Sequence, residues 1–113
     1  MMKKNTIIFD LDGTLALVDK RVRKSMIPKP NSPDGEGMDW DIFFDGQNVL
    51  ELDEPNYPVI SMAQMYYENG YNIVIFSGRN DRSFFTTKLW LEQRDVPFDL
   101  LVMRPDKFKS DSW

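Results

Sequence analysis

The sequence Ile7-Ile8-Phe9-Asp10-Leu11-Asp12-Gly13-Thr14-Leu15 decides how this chain folds. Its first three residues are apolar without polar alternation, which predicts a strand buried on both faces of a parallel sheet. Two acidic residues follow where the strand ends, and open α/β sheets bind their ligands at the carboxyl ends of their strands. We therefore predict that Asp10 and Asp12 point into one crevice, where a shared proton or metal ion would offset their repulsion.

Two other interpretations of the acidic pair need no catalysis. Asp-x-Asp-Gly is common in surface turns, because aspartate and glycine both favour turn geometry. The pair could also open a calcium loop of the EF-hand type, but a loop beginning at Asp10 requires a glutamate at its twelfth position, which is Arg21. We set the calcium loop aside and keep the surface turn as the alternative until a second motif joins the first.

Composition narrows the class of protein and of chemistry. The 113 residues suit one domain with a modest core, and 42% hydrophobic and 28% charged residues are ordinary for a globular protein. The chain has no cysteine and no histidine, which excludes disulfides, thiolate or imidazole metal sites and a histidine general base. A formal net charge of −4 disfavours generic nucleic-acid binding. The N-terminal apolar run is too short for a signal peptide or a membrane span, so we expect a soluble, cytoplasmic protein.

Residues 16–53, here called the insertion, differ in character from the rest of the chain. Prolines and glycines interrupt regular structure there, and Asp39 is placed to start one or two helical turns. Its aromatic residues either anchor the insertion to the core or contact a substrate; they are Trp40, Phe43 and Phe44. Its basic residues form a predicted surface patch of Arg21, Arg23, Lys24 and Lys29. A segment this long between core elements is often functional, for instance as a lid.

After the insertion, helix and strand patterns alternate. A helix is predicted from a cap at Asn56 to a stop at Gly70, followed by a strand over residues 71–76. A second helix is expected from Asn80 or Asp81 to about Arg94, with Phe85 and Leu89 on one stripe and Phe84, Lys88 and Leu91 on a neighbouring one. A third strand covers residues 100–103. The order indicates a single α/β domain with a parallel sheet and right-handed crossovers, whose core comprises residues 1–15 and 54–113.

A second polar motif, Ser77-Gly78-Arg79, stands at the carboxyl end of the second strand. Alone it is weak, since Ser-Gly is frequent in turns. Beside the acidic pair it would offer a hydroxyl and backbone N–H groups to a phosphoryl oxygen, with the N-terminus of the following helix pointing to the same place. Arg79 could add a charge-assisted contact to phosphate. Two motifs at neighbouring strand ends argue against the turn-only interpretation of Asp10 and Asp12.

These motifs resemble a known family. Asp10-x-Asp12-Gly13-Thr14-Leu15 after an Ile-Ile-Phe strand resembles the first motif of the haloacid dehalogenase-like (HAD) phosphohydrolases, and Ser77-Gly78-Arg79 resembles the second. The likeness extends over almost the whole chain to a compact subgroup similar to the 3′-phosphatase domain of phage polynucleotide kinases. The further matching pieces are residues 39–44, 53–55, 70–79, 87–91 and 101–105. The resemblance implies a Rossmann-like, three-layer α/β/α fold in which the insertion is a small cap.

The resemblance also implies roles for individual residues. Asp10 would be the nucleophile that forms an aspartyl-phosphate, and Asp12 the general acid/base that protonates the leaving alcohol and then activates water. Mg²⁺ would be the cofactor, held by the Asp10 carboxylate and the Asp12 backbone carbonyl. The predicted phosphate-binding residues are Thr14, Ser77, Gly78, Arg79 and Arg104.

Part of the family pattern is not matched. HAD enzymes carry a phosphate-stabilising lysine and a later acidic group; residues 107–113 resemble the run leading to that lysine, and Lys107 and Lys109 lack its usual placement. We therefore expect a domain shortened at its C-terminus, with the first strand exposed at the edge of the sheet. An apolar edge pairs readily with another chain. The expected partner is a second copy of the chain or a segment that completes the sheet in trans.

The expected activity is Mg²⁺-dependent hydrolysis of a phosphomonoester, either a nucleotide or the 3′-phosphate of a polynucleotide. The alternative is a non-catalytic module derived from such a phosphatase, which binds phosphate or a nucleotide or serves in assembly. A weaker alternative is nucleic-acid binding through Arg21, Arg23 and Lys24, for which a solvated loop is the simpler interpretation in an acidic chain. The sequence does not name the substrate.

Overall fold

The structure, a computed structural model, describes residues 5–43 and 45–105. The predictions for Phe44, Lys107 and Lys109 concern residues outside these ranges. In chain order the elements are β1 Thr6–Asp10, β2 Ala16–Leu17, α1 Asp19–Ser25, β3 Met26–Pro28, β4 Glu36–Met38, α2 Trp40–Phe43, α3 Gly46–Leu52, β5 Glu54–Pro55, α4 Tyr57–Glu68, β6 Asn72–Asn80, a short 3-10 helix Asp81–Ser83, α5 Phe84–Gln93 and β7 Leu100–Arg104.

The main sheet is parallel and has the strand order β1-β6-β7. Phe9 pairs with Ile75, which in turn pairs with Leu101, so the apolar residues of the three strands lie in register. The predicted α/β class, the parallel sheet and its Rossmann-like crossovers are thus confirmed. Among the described residues β1 lies at the edge of this sheet, and Ile8 on it is 62% exposed.

The core lies on one face of the sheet. Alternate strand residues pack there against the apolar sides of α3, α4 and α5, and the buried set comprises Phe9, Val49, Ile60, Ala63, Ile73, Ile75, Trp90, Leu91, Leu101 and Met103. The residues between them point the other way, because side chains alternate across a strand. Ile8, Phe76 and Leu100 are consequently exposed.

The insertion is closed at its base by a short pair of strands. Ala16 pairs with Pro55 and Leu17 with Glu54 in the antiparallel pair β2–β5. Between them, β3 and β4 form a hairpin, and α1, α2 and α3 are short helices. The predicted helical start at Asp39 is confirmed, because its Oδ1 accepts hydrogen bonds from the backbone N–H groups of Asp41 at 3.0 Å and Ile42 at 3.2 Å.

One helix prediction was wrong in detail. Asn56 precedes α4, but its side chain does not cap the helix; its Nδ2 donates to the carbonyl oxygen of Thr14 at 2.9 Å and ties α4 to the turn after β1. In α5 the buried residues are Thr87, Trp90 and Leu91, whereas Phe85 is 82% exposed. Of the two predicted stripes, the one with Phe84 and Leu91 lies toward the core, since Leu91 is buried and Phe84 packs against the buried cluster. None of the helices in the described part of the chain has the length and apolarity to cross a bilayer.

Candidate active site

The two predicted motifs meet at the carboxyl end of the sheet. Asp10 is paired with Phe76 in the register of β1 and β6, and the backbone N–H of Leu11 extends this pairing by donating to the carbonyl of Phe76 at 3.1 Å. Ser77 follows Phe76 directly, so the acidic pair and the Ser-Gly-Arg motif occupy adjacent strand ends. The predicted convergence of the two motifs is confirmed.

A tight turn follows β1 at once. The carbonyl of Leu11 accepts hydrogen bonds from the backbone N–H groups of Thr14, Leu15 and Ala16 at 3.2, 3.0 and 3.0 Å. Gly13 has a φ of +84°, in the left-handed region that side chains disfavour, so the turn needs glycine here. Because Leu11 and Leu15 are fully buried, the turn is anchored and holds the intervening Asp12 over the strand end.

Asp10 lies at this end with its carboxylate open to solvent. No hydrogen bond or ion pair joins that carboxylate to another residue in the described ranges, although the strand backbone on either side is paired. A carboxylate held on a strand and exposed to solvent is suited to attack an electrophile or to bind a cation.

The carboxylate of Asp12, in contrast to that of Asp10, is hydrogen-bonded by the guanidinium of Arg79. Nη2 of Arg79 lies 2.5 Å from Oδ1, and Nε lies 3.1 Å from Oδ1 and 3.2 Å from Oδ2. Nη2 of Arg21 stands 3.6 Å from the same Oδ1. Two carboxylates two residues apart are therefore differentiated: Asp10 is open, and Asp12 is oriented by cations.

A buried aspartate connects the two arginines. Asp53 is 2% exposed; its Oδ1 accepts from Nε of Arg21 at 2.7 Å and its Oδ2 from Nη2 of Arg79 at 2.9 Å. Nη1 of Arg21 donates to the carbonyl of Phe43 at 2.7 Å, and Nη1 of Arg79 donates to Oγ1 of Thr87 at 3.1 Å. The result is one polar network that joins the insertion, β6 and α5 to Asp12.

Burial makes this network costly. It lowers the pKa of Arg21, and the nearby charge of Arg79 lowers that pKa further. Burial raises the pKa of Asp53, while the hydrogen bond and the charge of Arg21 act in the opposite direction. Buried ion pairs are often replaceable by apolar residues without loss of stability. We therefore interpret the network as a device that orients Asp12.

Three members of the network were not predicted as site residues: Arg21, Asp53 and Thr87. Arg21 was assigned to a basic surface patch, and that prediction was wrong, because Arg21 is fully buried while Arg23 and Lys24 are exposed. Nucleic-acid binding through Arg21 is excluded for the same reason. The sequence offered a signal for Asp53, because residues 53–55 match the Asp-x-Pro of the family layout. That match does not indicate that the carboxylate is buried.

The predicted phosphate-binding residues occupy different positions. Ser77 is buried and its Oγ accepts from the backbone N–H of Arg79 at 3.1 Å, which leaves the hydroxyl hydrogen to donate elsewhere. Gly78 is exposed, and its carbonyl accepts from Nε of Arg104 at 3.0 Å. Thr14 is half-buried, and the hydrogen bonds described for it are made by its backbone. Arg79 is 2% exposed and engaged with carboxylates, so a direct contact with phosphate stays a prediction.

The oxygen atoms near Asp10 fit a magnesium ion with few protein ligands. Among the described residues no three acidic side chains cluster closely enough to hold a metal by themselves. Mg²⁺ usually keeps several waters and takes one or two carboxylates together with substrate phosphate. The open carboxylate of Asp10 and the backbone carbonyl of Asp12, which accepts none of the backbone hydrogen bonds described for this turn, match that requirement.

Comparisons with known proteins agree with this geometry. The family model for the polynucleotide kinase PNKP phosphatase domain matches residues 41–113. A solved structure of a Pnkp1/Rnl/Hen1 complex is similar with a TM-score of 0.66 and 25% sequence identity, covering 95% of this chain and 30% of that chain. A structure of the Pnkp1/Rnl/Hen1 RNA repair complex has a TM-score of 0.66 at 24% identity, covering 96% of this chain and 28% of that chain.

A third structure is similar in fold alone. It is a crystal structure of an MCSG target from Vibrio cholerae, with a TM-score of 0.52 and 23% identity over 88% of this chain and 69% of that chain. The present chain spans less than a third of the chains from the two complexes. None of the curated proteins compared with the chain matches it.

Proposed function

The chain belongs to the family of polynucleotide kinase PNKP phosphatase domains, and from this premise we propose that it hydrolyses a phosphomonoester, namely the 3′-phosphate of a nucleic-acid end. One observation carries the proposal: an open carboxylate on Asp10 lies beside a carboxylate on Asp12 that two arginines orient. A nucleophile and an acid/base need different environments, and these two carboxylates have them.

The proposed reaction has two displacements at phosphorus. A carboxylate oxygen of Asp10 attacks, an aspartyl-phosphate forms, and the bond to the leaving oxygen breaks while Asp12, which enters this step in its protonated form, gives its proton to that oxygen and becomes the carboxylate. In the second step Asp12 takes a proton from water, the water oxygen attacks the same phosphorus, and the bond to Asp10 breaks to release inorganic phosphate. The hydroxyl of Ser77 and the backbone around Gly78 are suited to donate hydrogen bonds to the non-reacting phosphoryl oxygens.

Magnesium would be held by the carboxylate of Asp10 and the backbone carbonyl of Asp12. When bound, it would neutralise negative charge between the nucleophile and the phosphate. Residues of the chain supply the rest: Arg79 and Arg21 keep Asp12 in position, and Asp53 keeps both arginines in position.

A protein partner is also proposed. The two similar complexes contain Rnl and Hen1 beside Pnkp1, which supports the proposal that this chain acts next to another polypeptide. The edge of β1, where Ile8 is exposed, is the surface we assign to it, whether the partner is a second copy or a segment supplied in trans.

Release of inorganic phosphate from a 3′-phosphorylated single-stranded oligonucleotide tests the proposed activity. The purified chain should release phosphate over many turnovers with Mg²⁺, stop when EDTA is added in excess, and resume when Mg²⁺ is restored. A 5′-phosphorylated oligonucleotide and an aryl phosphate serve as comparison substrates. If none of the three esters is hydrolysed above the buffer blank, the phosphatase proposal is wrong; saturable oligonucleotide binding without turnover would then select the non-catalytic module.

Replacing Arg79 with lysine should lower kcat by about a hundredfold and change KM little. A lysine ammonium cannot contact Asp12, Asp53 and Thr87 together as the guanidinium does, so Asp12 loses its orientation, and misplacement by about 1 Å can cost this factor. Steady-state kinetics on the oligonucleotide measure it. Arg94→Lys, at the residue that caps the C-terminus of α5, is the matched control. A kcat within threefold of the wild type for Arg79→Lys would contradict the assigned role.

A further inference from the structure

A pocket of about 360 Å³ opens beside the candidate active site. It lies between α2 of the insertion and the carboxyl ends of β6 and β7, and its lining residues are Trp40, Asp41, Asn80, Arg82, Ser83 and Arg104. This volume is at the lower end of those that hold small organic ligands. The mechanism proposed above uses the carboxyl end of β1 and the Ser-Gly-Arg motif, and it gives the pocket no role.

The pocket is connected to the phosphate cradle through Arg104. Its Nε donates to the carbonyl of Gly78 at 3.0 Å, and Asn80 directly follows Arg79 on β6. In the sheet order β1-β6-β7, the end of β7 is two strand spacings from the end of β1, which is about 10 Å. A ligand group in the pocket and a phosphate over Asp10 could therefore belong to one molecule.

Trp40 gives the pocket an aromatic wall. Its side chain is 58% exposed, and its ring meets the Phe43 ring edge-to-face with centroids 5.5 Å apart and an interplanar angle of 89°. Phe43 in turn carries the guanidinium of Arg21 4.1 Å from its ring centroid. The indole thus packs against Phe43, which contacts the buried network. Much of the indole surface faces solvent, which suits stacking with a planar ring.

Among the described residues that line the pocket, two carry a positive charge and one a negative charge, in a chain whose formal net charge is −4. These charged lining residues are Arg82, Arg104 and Asp41. Nε of Arg82 donates to Oδ1 of Asn80 at 3.2 Å, an interaction that orients the side chain at the start of the 3-10 helix. Guanidiniums next to an aromatic wall are the combination with which proteins bind single-stranded nucleic acid.

We propose that this pocket binds the nucleotide next to the terminal phosphate of a single-stranded nucleic-acid end. Its base stacks on Trp40, and the phosphodiester that links it to the terminal nucleotide contacts Arg82 and Arg104. The inference rests on the proposed function and deepens it, since it explains how a site that acts on a phosphate would prefer a polynucleotide to a small ester.

The preference is the quantity to measure: the ratio of kcat/KM for a 3′-phosphorylated tetranucleotide to kcat/KM for an aryl phosphate. In Trp40→Ala this ratio should fall about tenfold, by the usual magnitude of one base stacked on an aromatic side chain. Trp40→Phe should restore most of it. Tyr67→Ala, on the exposed side of α4 near the opposite end of the sheet, should leave the ratio as in the wild type.

The proposed contacts between arginine and phosphate are tested by the salt dependence of binding. Loss of one phosphate contact flattens the dependence of log K on log salt by about 0.7 for single strands. Arg82→Ala should show this change for tetranucleotide binding in an Asp10→Asn background, and Arg94→Ala should not. A slope unchanged by Arg82→Ala, or a specificity ratio in Trp40→Ala within twofold of the wild type, would overturn the subsite and leave the phosphatase proposal intact.

A different quantity is measured if the phosphatase proposal fails. If the wild type hydrolyses no ester, tetranucleotide affinity of the folded chain replaces the ratio. Binding weakened about tenfold by Trp40→Ala, and restored by Trp40→Phe, would support the subsite in a non-catalytic module. Equal affinity of the wild type and Trp40→Ala would overturn it.

Discussion

The Asp10→Asn variant should hydrolyse a 3′-phosphorylated oligonucleotide at least about a thousandfold more slowly than the wild type. An amide has the shape of the carboxylate but is a far weaker nucleophile, and losses of this size are typical when a covalent nucleophile is removed. Because no described residue hydrogen bonds to the Asp10 carboxylate, the change removes chemistry without removing a structural contact. Initial rates at saturating substrate measure the effect.

Two controls accompany this variant. Its free energy of unfolding in urea should match that of the wild type, which separates lost chemistry from lost folding. Asp19→Asn, an exposed aspartate in the first turn of α1, should keep wild-type rates. Retention of more than a tenth of the wild-type rate by Asp10→Asn would show that another group attacks phosphorus.

Replacing Asp53 with asparagine should lower the free energy of unfolding by about 3–5 kcal/mol. The change removes the charge of the buried carboxylate that bridges the guanidiniums of Arg21 and Arg79, which are 0% and 2% exposed, and leaves them the partly exposed carboxylate of Asp12. Removing one partner of a buried ion pair typically costs this much, since the remaining charge stays desolvated. Urea unfolding followed by tryptophan fluorescence measures the loss, with Trp90 as a reporter because its Nε1 donates to the Asp53 carbonyl at 3.2 Å.

The neighbouring residue offers a matched control. Glu54 pairs with Lys20 at 2.7 Å, but the two side chains are 52% and 56% exposed. Exposed ion pairs are screened by solvent and contribute little to stability, so Glu54→Gln should have a small effect. Equal destabilisation by Asp53→Asn and Glu54→Gln would mean that the buried network contributes no more to the free energy of unfolding than the exposed pair does.

The core elements could be predicted because their signals are local. β-branched and aromatic runs marked β1 and β6, and Gly70, with a φ of +86°, stopped the helix between them as expected. The insertion was harder. Its regular structure consists of elements of two to seven residues, too short to show a period, and its hairpin depends on pairing between Met26 and Met38.

Some residues of the candidate site could likewise be predicted from the sequence, and others could not. Asp10, Asp12 and Ser77 could be located because each lies at or just after the end of an apolar run in the sequence. The network behind them could not, since Arg21 is 32 residues from Asp53 and Asp12 is 67 residues from Arg79. A charged side chain is normally exposed, and only its partner in space makes burial tolerable. Arg21 therefore looked like a surface residue until the fold brought Asp53 to it.

The short β2–β5 pair has a consequence for how this fold could be re-engineered. Its two strands bring residues 16 and 55 together, so the chain between them leaves and rejoins the sheet at one point. The entropy cost of such a loop grows slowly with length, by about 0.6 kcal/mol per doubling. The intervening module could therefore be exchanged or enlarged while β1 and β6 stay in place, provided that Arg21 and Asp53 are kept. A library of modules grafted onto the β2–β5 pair would vary the substrate that is recognised and keep the reacting residues at the end of β1 unchanged.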